Sequence, residues 1–497
     1  MRPQSLSPRA ASMMQRHHAL ISAPSHVRRV MAALALGVWA CRGAAPGIEP
    51  AHRPLAITNV HVVDLRQGRV DSNRTVLIEG GTISGVVAAG REPSRFVHID
   101  NLRGAFVIPG LWDMHVHIGR SRRSTLPLYV ANGITGVRDM GGDFPNVRAW
   151  ADSVASGLLL GPEILVSGPV LERTAWLNAV MKYAVDNRDT ALARDMGERI
   201  AIDSPEDAIR AVDSMVVMRA DFVKIRNDAA PATTFALLRR ARERGLRVVG
   251  HWPARLTPKT ASDSGYASLE HGPLTVTNGA LVPTFDTMSS EQRSVFFATM
   301  ARNGTAYTPT LVALKGFRLT PDSVIARVLA DTSGMADHRM RYVPRSLIAS
   351  WKSGFALTAI ETNKPDWASF YRSFLRDIRP MADAGVVLLA GTDVGSPLVF
   401  PAFSLVDELE ALVTDAGLSA LQSLRTATLN AGTWLGKSGE IGVVDAGARA
   451  DLVLLAASPL DDIRNLRRIQ AVVRRGQLLD RPALDELLAR SLQQRRQ

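Results

Sequence analysis

Between Phe106 and Gly395, short β-branched apolar runs alternate with segments that carry helix start and stop signals, and that order leaves few folds open. The runs are FVIPG leading into PGLWDMHVH, then ITGVRDM, EILVSGPV, DFVKI, LRVVGH, ASLEHG, AYTPTLV and VVLLAGTDVG. Ser204-Pro205-Glu206-Asp207 reads as an N-cap, a first-turn proline and a capping-box acid. The helical stretch after Pro231 stops at Gly245, where a left-handed cap carries no Cβ penalty. Eight strands with helices between them predict an α/β fold, a TIM-type (β/α)8 barrel over 108–436. An open doubly wound sheet stays open as the alternative, with no glycine-rich phosphate loop to support it. Residues 321–383 are more helical and longer than one barrel helix requires. They are expected to be an insertion that covers or gates the site.

Both ends have a different texture. PLAITNVHVVD and TVLIEGGTISGVV near the start, and GEIGVVDAGARADLVLL and IQAVVRRGQLL near the end, are strand-like runs broken by turn residues. They predict a small discontinuous β-sandwich domain made of 46–107 plus 437–482, leaving 483–497 as a tail. In 1–45, Arg28-Arg29 precede the short apolar run VMAALALGVWAC, the pattern of an export leader. Cys41 closes that run and would serve as a lipid anchor, with Met13 or Met14 as alternative starts. The expectation is an exported protein, periplasmic or anchored as a lipoprotein; a cytoplasmic chain with a basic N-terminus is the alternative. As the sole cysteine, Cys41 also excludes an internal disulfide and a cysteine-rich metal site. The net charge of +12 comes largely from arginines at the two termini, without an aromatic-interleaved basic stripe, which argues against nucleic-acid binding.

In a barrel of this kind, chemistry gathers at the C-terminal ends of the strands. His115 and His117 lie one residue apart, so on a strand their imidazoles share a face, with Met114 and Val116 turned away. Lys224, His251, His271 and Asp393 close or follow later apolar runs. Each alone has an ordinary explanation: a snorkelling lysine, a satisfied core histidine, a turn aspartate. Together at one end of a barrel they would leave several buried polar groups unpaired, at about 1–3 kcal/mol each, unless a metal binds. The set therefore predicts a metal site.

The ordered motifs PGLWDMHVH, GITGVRDMGG, DFVKI, RGLRVVGH, SLEHG, AGTDVG, ATLNAGTWLG and GARADLVLL resemble the amidohydrolase superfamily, in its branch of imidazolonepropionase-like and prolidase-like enzymes. The resemblance runs from Pro54 to Gln477 and implies a binuclear centre. His115 and His117 would hold one metal with Asp393, and His251 and His271 the other. Lys224 would bridge the two as a carbamate formed with carbon dioxide, because an ammonium has no lone pair to give. Zinc suits the nitrogen- and oxygen-rich donors best, with manganese, cobalt or iron open. A hydroxide shared by the ions would attack the substrate, with Asp393 as general base, while the outer metal and His251 polarise the carbonyl. The implied reaction is hydrolysis of an amide, cyclic amide or peptide bond in a small molecule such as an N-acyl amino acid or dipeptide.

Substrate contacts are read from departures. Arg226 stands where the family often has tyrosine, and would pair either with a substrate carboxylate or with a rim acid. Trp252 makes a bulky rim suited to a hydrophobic or ring-bearing substrate, and Thr308 and Thr310 close the seventh run facing the pocket. A homo-oligomer is a further expectation. Two rival functions keep the fold: an exported metal- or solute-binding protein, which would not need Asp393 as a base, and a mononuclear deaminase, which Lys224 disfavours.

Overall fold

The computed structural model describes residues 53–495 apart from 227–228, 278–279, 332 and 360–365. The expected leader 1–45, with Cys41, lies outside the described residues. No helix among the described residues is long and apolar enough to cross a membrane.

The middle of the chain is α/β, and the strands the sequence proposed from Leu111 to Val394 pair in parallel. Leu111–Val116, Ile134–Asp139 and Glu163–Val166 form one sheet. A second runs in the order Ile200–Ala201, Leu171–Glu172, Val223–Ile225, Val248–His251, Tyr266–Glu270, Ala306–Thr308. Single parallel bridges join Ser167 to Phe222, Tyr307 to Leu388, and Val116 to Val394. Two expected strands are shorter than their apolar runs. AYTPTLV stops at Thr308, because Pro309 has no N–H to donate, Thr310 takes a left-handed φ of 52° and Leu311 opens a helix. Val386–Gly395 pairs only through its bridges. Asp393 at φ 55° breaks the extended backbone there.

Helices pack over these strands on faces their spacing anticipates. In Pro205–Val217 the buried residues are Ala208, Ala211, Val212 and Met215, the i, i+3, i+4, i+7 stripe. Ser204 caps that helix reciprocally with Asp207. Pro231–Glu243 ends before Gly245, whose φ is 71°. The region 321–383 is helical at Asp322–Ala330, Arg345–Ala359 and Trp367–Asp383.

Both termini contribute to one eight-stranded sheet. Its order is Gln477–Asp480, Ile469–Arg474, Leu452–Leu455, Phe106–Pro109, Leu55–Asp64, Arg69–Glu79, Thr82–Ala88, with Val97–Ile99 also paired to Leu55–Asp64. The hydrogen bonding is that of a single sheet. Residues 483–495, expected as a tail, belong to the helix Arg481–Arg495. Leu484 there is fully buried and Leu487 and Leu488 pack on the core, an apolar stripe diluted in sequence by arginines and glutamines.

One buried acid ties this framework to pH. Glu408, on the helix Ser404–Thr414, accepts from the backbone N–H groups of Leu311 (3.0 Å) and Val312 (2.8 Å) just after Thr310. Burial pushes its carboxyl up to about 8, against the pull of those two donors. An acid raised on folding holds its proton where the unfolded chain has lost it. Its contribution is fully present below the unfolded value near 4.3 and disappears as pH rises through about 8, at no more than about 1.4 kcal/mol per pH unit. In urea titrations, wild type is therefore expected to lose stability relative to Glu408→Gln by a few kcal/mol between pH 5 and 8.5. A difference independent of pH would show that Glu408 is ionised in the folded protein throughout.

Candidate metal centre

The strand bearing the first histidines is irregular. Its register slips between Leu111 and Trp112 and again between Asp113 and Val116. Asp113 fixes the irregular end: it accepts from the N–H and hydroxyl of Thr392 (3.0 and 2.7 Å) and from the N–H of His115 (3.3 Å). The first strand and the 390s segment are thus bolted together, and the Asp393 N–H donates to the His115 carbonyl at 2.7 Å. Gly391 permits the approach, since a Cβ there would lie 2.6 Å from the Cβ of His115.

That approach brings the donors together. Asp393 Oδ1 lies 3.3 Å from Nε2 of His115 and 3.3 Å from Nε2 of His117. The His115 and His271 rings are 4.6 Å apart, and His251 and His271 4.8 Å. His115, His271 and Asp393 offer ligand atoms within 4.8 Å of one another, so the tightest group takes one histidine from each pair the resemblance assigned to separate metals. His117, Lys224, His251, His271 and Asp393 line one cavity of about 420 Å³, with His115 fully buried beside it.

Three of these positions sit on backbone that ordinary residues avoid. His271, Thr310 and Asp393 have φ of 61°, 52° and 55°. Each follows a strand or bridge, and each is held by a neighbour. The His271 ring shares a 2.7 Å hydrogen bond with the Thr310 hydroxyl, the indole of Trp252 donates to the His271 carbonyl at 2.9 Å, and the Ser396 hydroxyl donates to Asp393 at 2.6 Å. Strain of this kind, of order 1 kcal/mol or more per residue, persists where surrounding contacts over-determine the geometry.

Burial sets the charge states. It lowers the His117 and His251 imidazoles, and takes His271 down to about 3, so these rings are neutral with a lone pair available. Burial works to raise Asp393, but contact with the His115 and His117 imidazoles holds it well below the usual carboxylate range. Burial lowers Lys224 to about 7, with Glu270 and Asp393 pulling the other way. Its Nζ is buried without a hydrogen-bond partner among the described residues. A fully buried amine left so, beside a carboxylate and imidazoles with lone pairs available, is what a divalent cation, with a derivatised lysine, would satisfy. The donor set fits such ions.

Sequence reasoning passed over the residues behind these donors. Glu270 takes Nδ1 of His115 at 2.8 Å, which orients the ring with Nε2 toward Asp393. Arg138, fully buried, donates to Glu270, to Ser268 and to the Met114 carbonyl, and its guanidinium lies 4.6 Å over Trp434. Both residues stand inside quoted motifs, SLEHG and GVRDM. The signal was an ionisable residue within an otherwise apolar run.

The expected substrate contacts are distributed unevenly. Thr310 lines the cavity while bonded to His271, whereas Thr308 is fully buried, 3.2 Å from Arg138 Nη2, and is not among the cavity-lining residues. Trp252 reaches the cavity but is mostly buried against Phe285 and Tyr307. Arg226 pairs with Glu172 at 2.9 Å and lies over Trp176.

An α/β framework that gathers imidazoles, carboxylates and a buried lysine at the ends of parallel strands defines a hydrolase built around metal-type donors. The chain belongs to the amidohydrolase family, whose profile matches residues 106–479, and that membership makes it a hydrolase of carbon–nitrogen bonds. It is 25% identical over 387 residues to an uncharacterised protein of Mycobacterium tuberculosis, covering 75% of this chain and 85% of that one. It is 23% identical over 416 residues to ochratoxinase of Aspergillus niger, covering 74% and 73% of the two chains. Among solved structures it is similar to bottromycin amidohydrolase, with a TM-score of 0.66, 24% identity, and coverage of 89% of this chain and 91% of that one.

Proposed function

We propose that the chain is a metal-dependent amidohydrolase that cleaves an amide, cyclic amide or peptide bond of a small molecule such as an N-acyl amino acid or dipeptide. The observation that carries this is the buried Lys224 Nζ, without a hydrogen-bond partner among the described residues, in the same cavity as His117, His251, His271 and Asp393. Ochratoxinase and bottromycin amidohydrolase, both hydrolases by name, support the reaction class. His115, His117, His251, His271, Asp393 and a carbamate on Lys224 would hold two divalent ions, zinc in preference. Such ions supply Lewis acidity toward the scissile carbonyl and the attacking water.

The chain's own residues do the rest. Lys224, held near neutrality by burial, uses its amine lone pair on carbon dioxide and releases a proton, giving a carboxylate where an ammonium would repel cations. Asp393, ionised and beside two imidazoles, takes the proton of the attacking water and delivers it to the leaving nitrogen. The water oxygen bonds to the acyl carbon as the carbon–nitrogen bond breaks. His251, on the cavity wall, would help polarise the substrate carbonyl. We further read the parallel bridges at Ser167, Tyr307 and Val116 as closing the middle strands into a (β/α)8 barrel, and the terminal sheet as folding over at its bulges into a two-layer sandwich.

Purified full-length protein is expected to contain about two divalent ions per chain and to hydrolyse members of an N-acyl amino acid and dipeptide library. Release of the free amine is the readout. A chain that binds no divalent metal and cleaves no member of the library would overturn the assignment.

A further inference from the structure

The cavity that holds Lys224, His251, His271 and Asp393 has a volume of about 420 Å³, and beside it lies a second of about 710 Å³. Arg120, Arg199, Arg226, Phe317 and Ser396 are walls of both. Pockets of about 300–1,000 Å³ enclose most of a drug-sized ligand, so the first already takes an N-acyl amino acid or dipeptide whole. The second is space that such a substrate leaves unused.

Helices that interrupt the strand order frame this chamber. Thr174–Asp186 and Thr190–Gly197 contribute walls, as does Arg345–Ala359, which packs against Thr190–Gly197. Leu347 and Trp351 anchor the last helix, fully buried in a cluster with Met340, Val343 and Phe400. Its small Ser346, Ser350 and Ser353 line the chamber and keep it open. Trp150, Trp176, Val180, Leu192 and Phe317 line the same space and are only partly buried. Apolar side chains left half-covered around a concave space are what a ligand with apolar groups covers.

Two features say which part of a substrate reaches it. Where the spaces meet, Arg120 and Arg199 are held on Asp195 at 3.0 and 2.9 Å, and Arg226 on Glu172 at 2.9 Å, so these guanidiniums are already paired with acids. A peptide meets both kinds of wall, its amides against hydroxyls and paired guanidiniums, a side chain against the aromatics. Direction comes from Gly395, Ser396 and Pro397, which line the chamber immediately after Asp393, with the Ser396 hydroxyl donating to Asp393 at 2.6 Å. Gly354 seats the serine-bearing helix on this segment, since a Cβ there would lie 2.9 Å from Pro397 Cγ. Asp393 returns the proton to the leaving nitrogen, so the amine side of the scissile bond is the side that continues along it.

We propose that the second chamber is a subsite for peptide on the amine side of the scissile bond, and that the preferred substrate is an N-acyl peptide rather than an N-acyl amino acid. The first residue after the bond sits in the metal-bearing cavity and the next places an apolar or aromatic side chain among Trp150, Trp176 and Phe317. The substrate class rests on the amide-hydrolysis reading above; the chamber as a peptide site does not. Hydrolysis adds water across the carbon–nitrogen bond, the oxygen going to the acyl carbon and a proton to the amine of the released peptide.

The test compares N-acetylleucine with N-acetyl-leucyl-phenylalanyl-leucine as substrates of the metal-loaded full chain, with products identified by mass spectrometry. Calorimetry measures binding of the longer compound to the metal-free full chain. The longer compound is expected to exceed N-acetylleucine in kcat/KM by at least about tenfold, with acetate and the intact tripeptide as products. Ser350→Trp fills the chamber, and in it the ratio collapses toward one while peptide affinity falls in parallel. Ser353→Phe serves if that variant does not fold. A ratio unchanged in the folded variant overturns the chamber as the subsite. Equal kcat/KM for the two compounds, or release of free leucine ahead of acetate, overturns the substrate preference and leaves the hydrolase assignment intact. Peptide binding that Ser350→Trp weakens, without turnover of either compound, supports the chamber and sinks the amide-hydrolysis reading. Neither binding nor turnover overturns both.

Discussion

Asp393→Asn is expected to lower kcat by at least about a hundredfold, and up to about ten-thousandfold, while most of the metal stays bound. Asparagine keeps the shape of the side chain, so the Ser396 hydroxyl still has an acceptor and the left-handed turn at φ 55° remains accessible to it. What disappears is the negative charge 3.3 Å from two imidazoles and the ability to hold the proton of the attacking water. The measurement pairs steady-state turnover with metal content on the same sample, and circular dichroism to confirm the fold. Near wild-type turnover with metals in place would remove Asp393 as the base.

Lys224→Met separates a bridging lysine from a structural one by pulling activity and stability in opposite directions. Turnover is expected to fall at least about a hundredfold and bound metal to drop from about two ions per chain toward one. In the metal-free protein, the same substitution is expected to gain about 1–3 kcal/mol, because it replaces a buried amine that has no hydrogen-bond partner among the described residues with an apolar side chain of similar reach. Millimolar acetate or propionate, small enough to occupy the vacated space as a carboxylate, should restore part of the metal content. Destabilisation of the metal-free form with unchanged metal content would make Lys224 a core residue and nothing more.

The strand ends carried most of the legible information. Lysine, histidine or aspartate closing an apolar run is conspicuous because such runs otherwise exclude ionisable groups, and five of those residues do line one cavity. His115 and His117 both place Nε2 3.3 Å from Asp393 Oδ1, on the shared face that alternation anticipates, whereas the 4.6 Å approach of the His115 and His271 rings joins separate strands and no local pattern encodes it. Thr308 and Thr310 show the same limit. Two residues apart on a regular strand they would share a face, but the left-handed turn at Thr310 splits them, one on Arg138 and the other on His271. Glu270 and Arg138 were readable as residue types and opaque as partners, since their pairing joins positions 132 residues apart. Arg226 stood out beside Lys224, while Arg120 and Arg199 dissolve into an arginine-rich composition, and only folding shows that these two share Asp195.

Phe106–Pro109 is sewn on one side to Leu55–Asp64 and on the other to Leu452–Leu455, and it runs directly into the strand that bears His115. A nascent chain cannot complete that seam until Leu452–Leu455 has been made, well after Asp393. His115 and His117, at the start of the middle region, therefore wait for a late strand before the segment that carries them is paired on both sides.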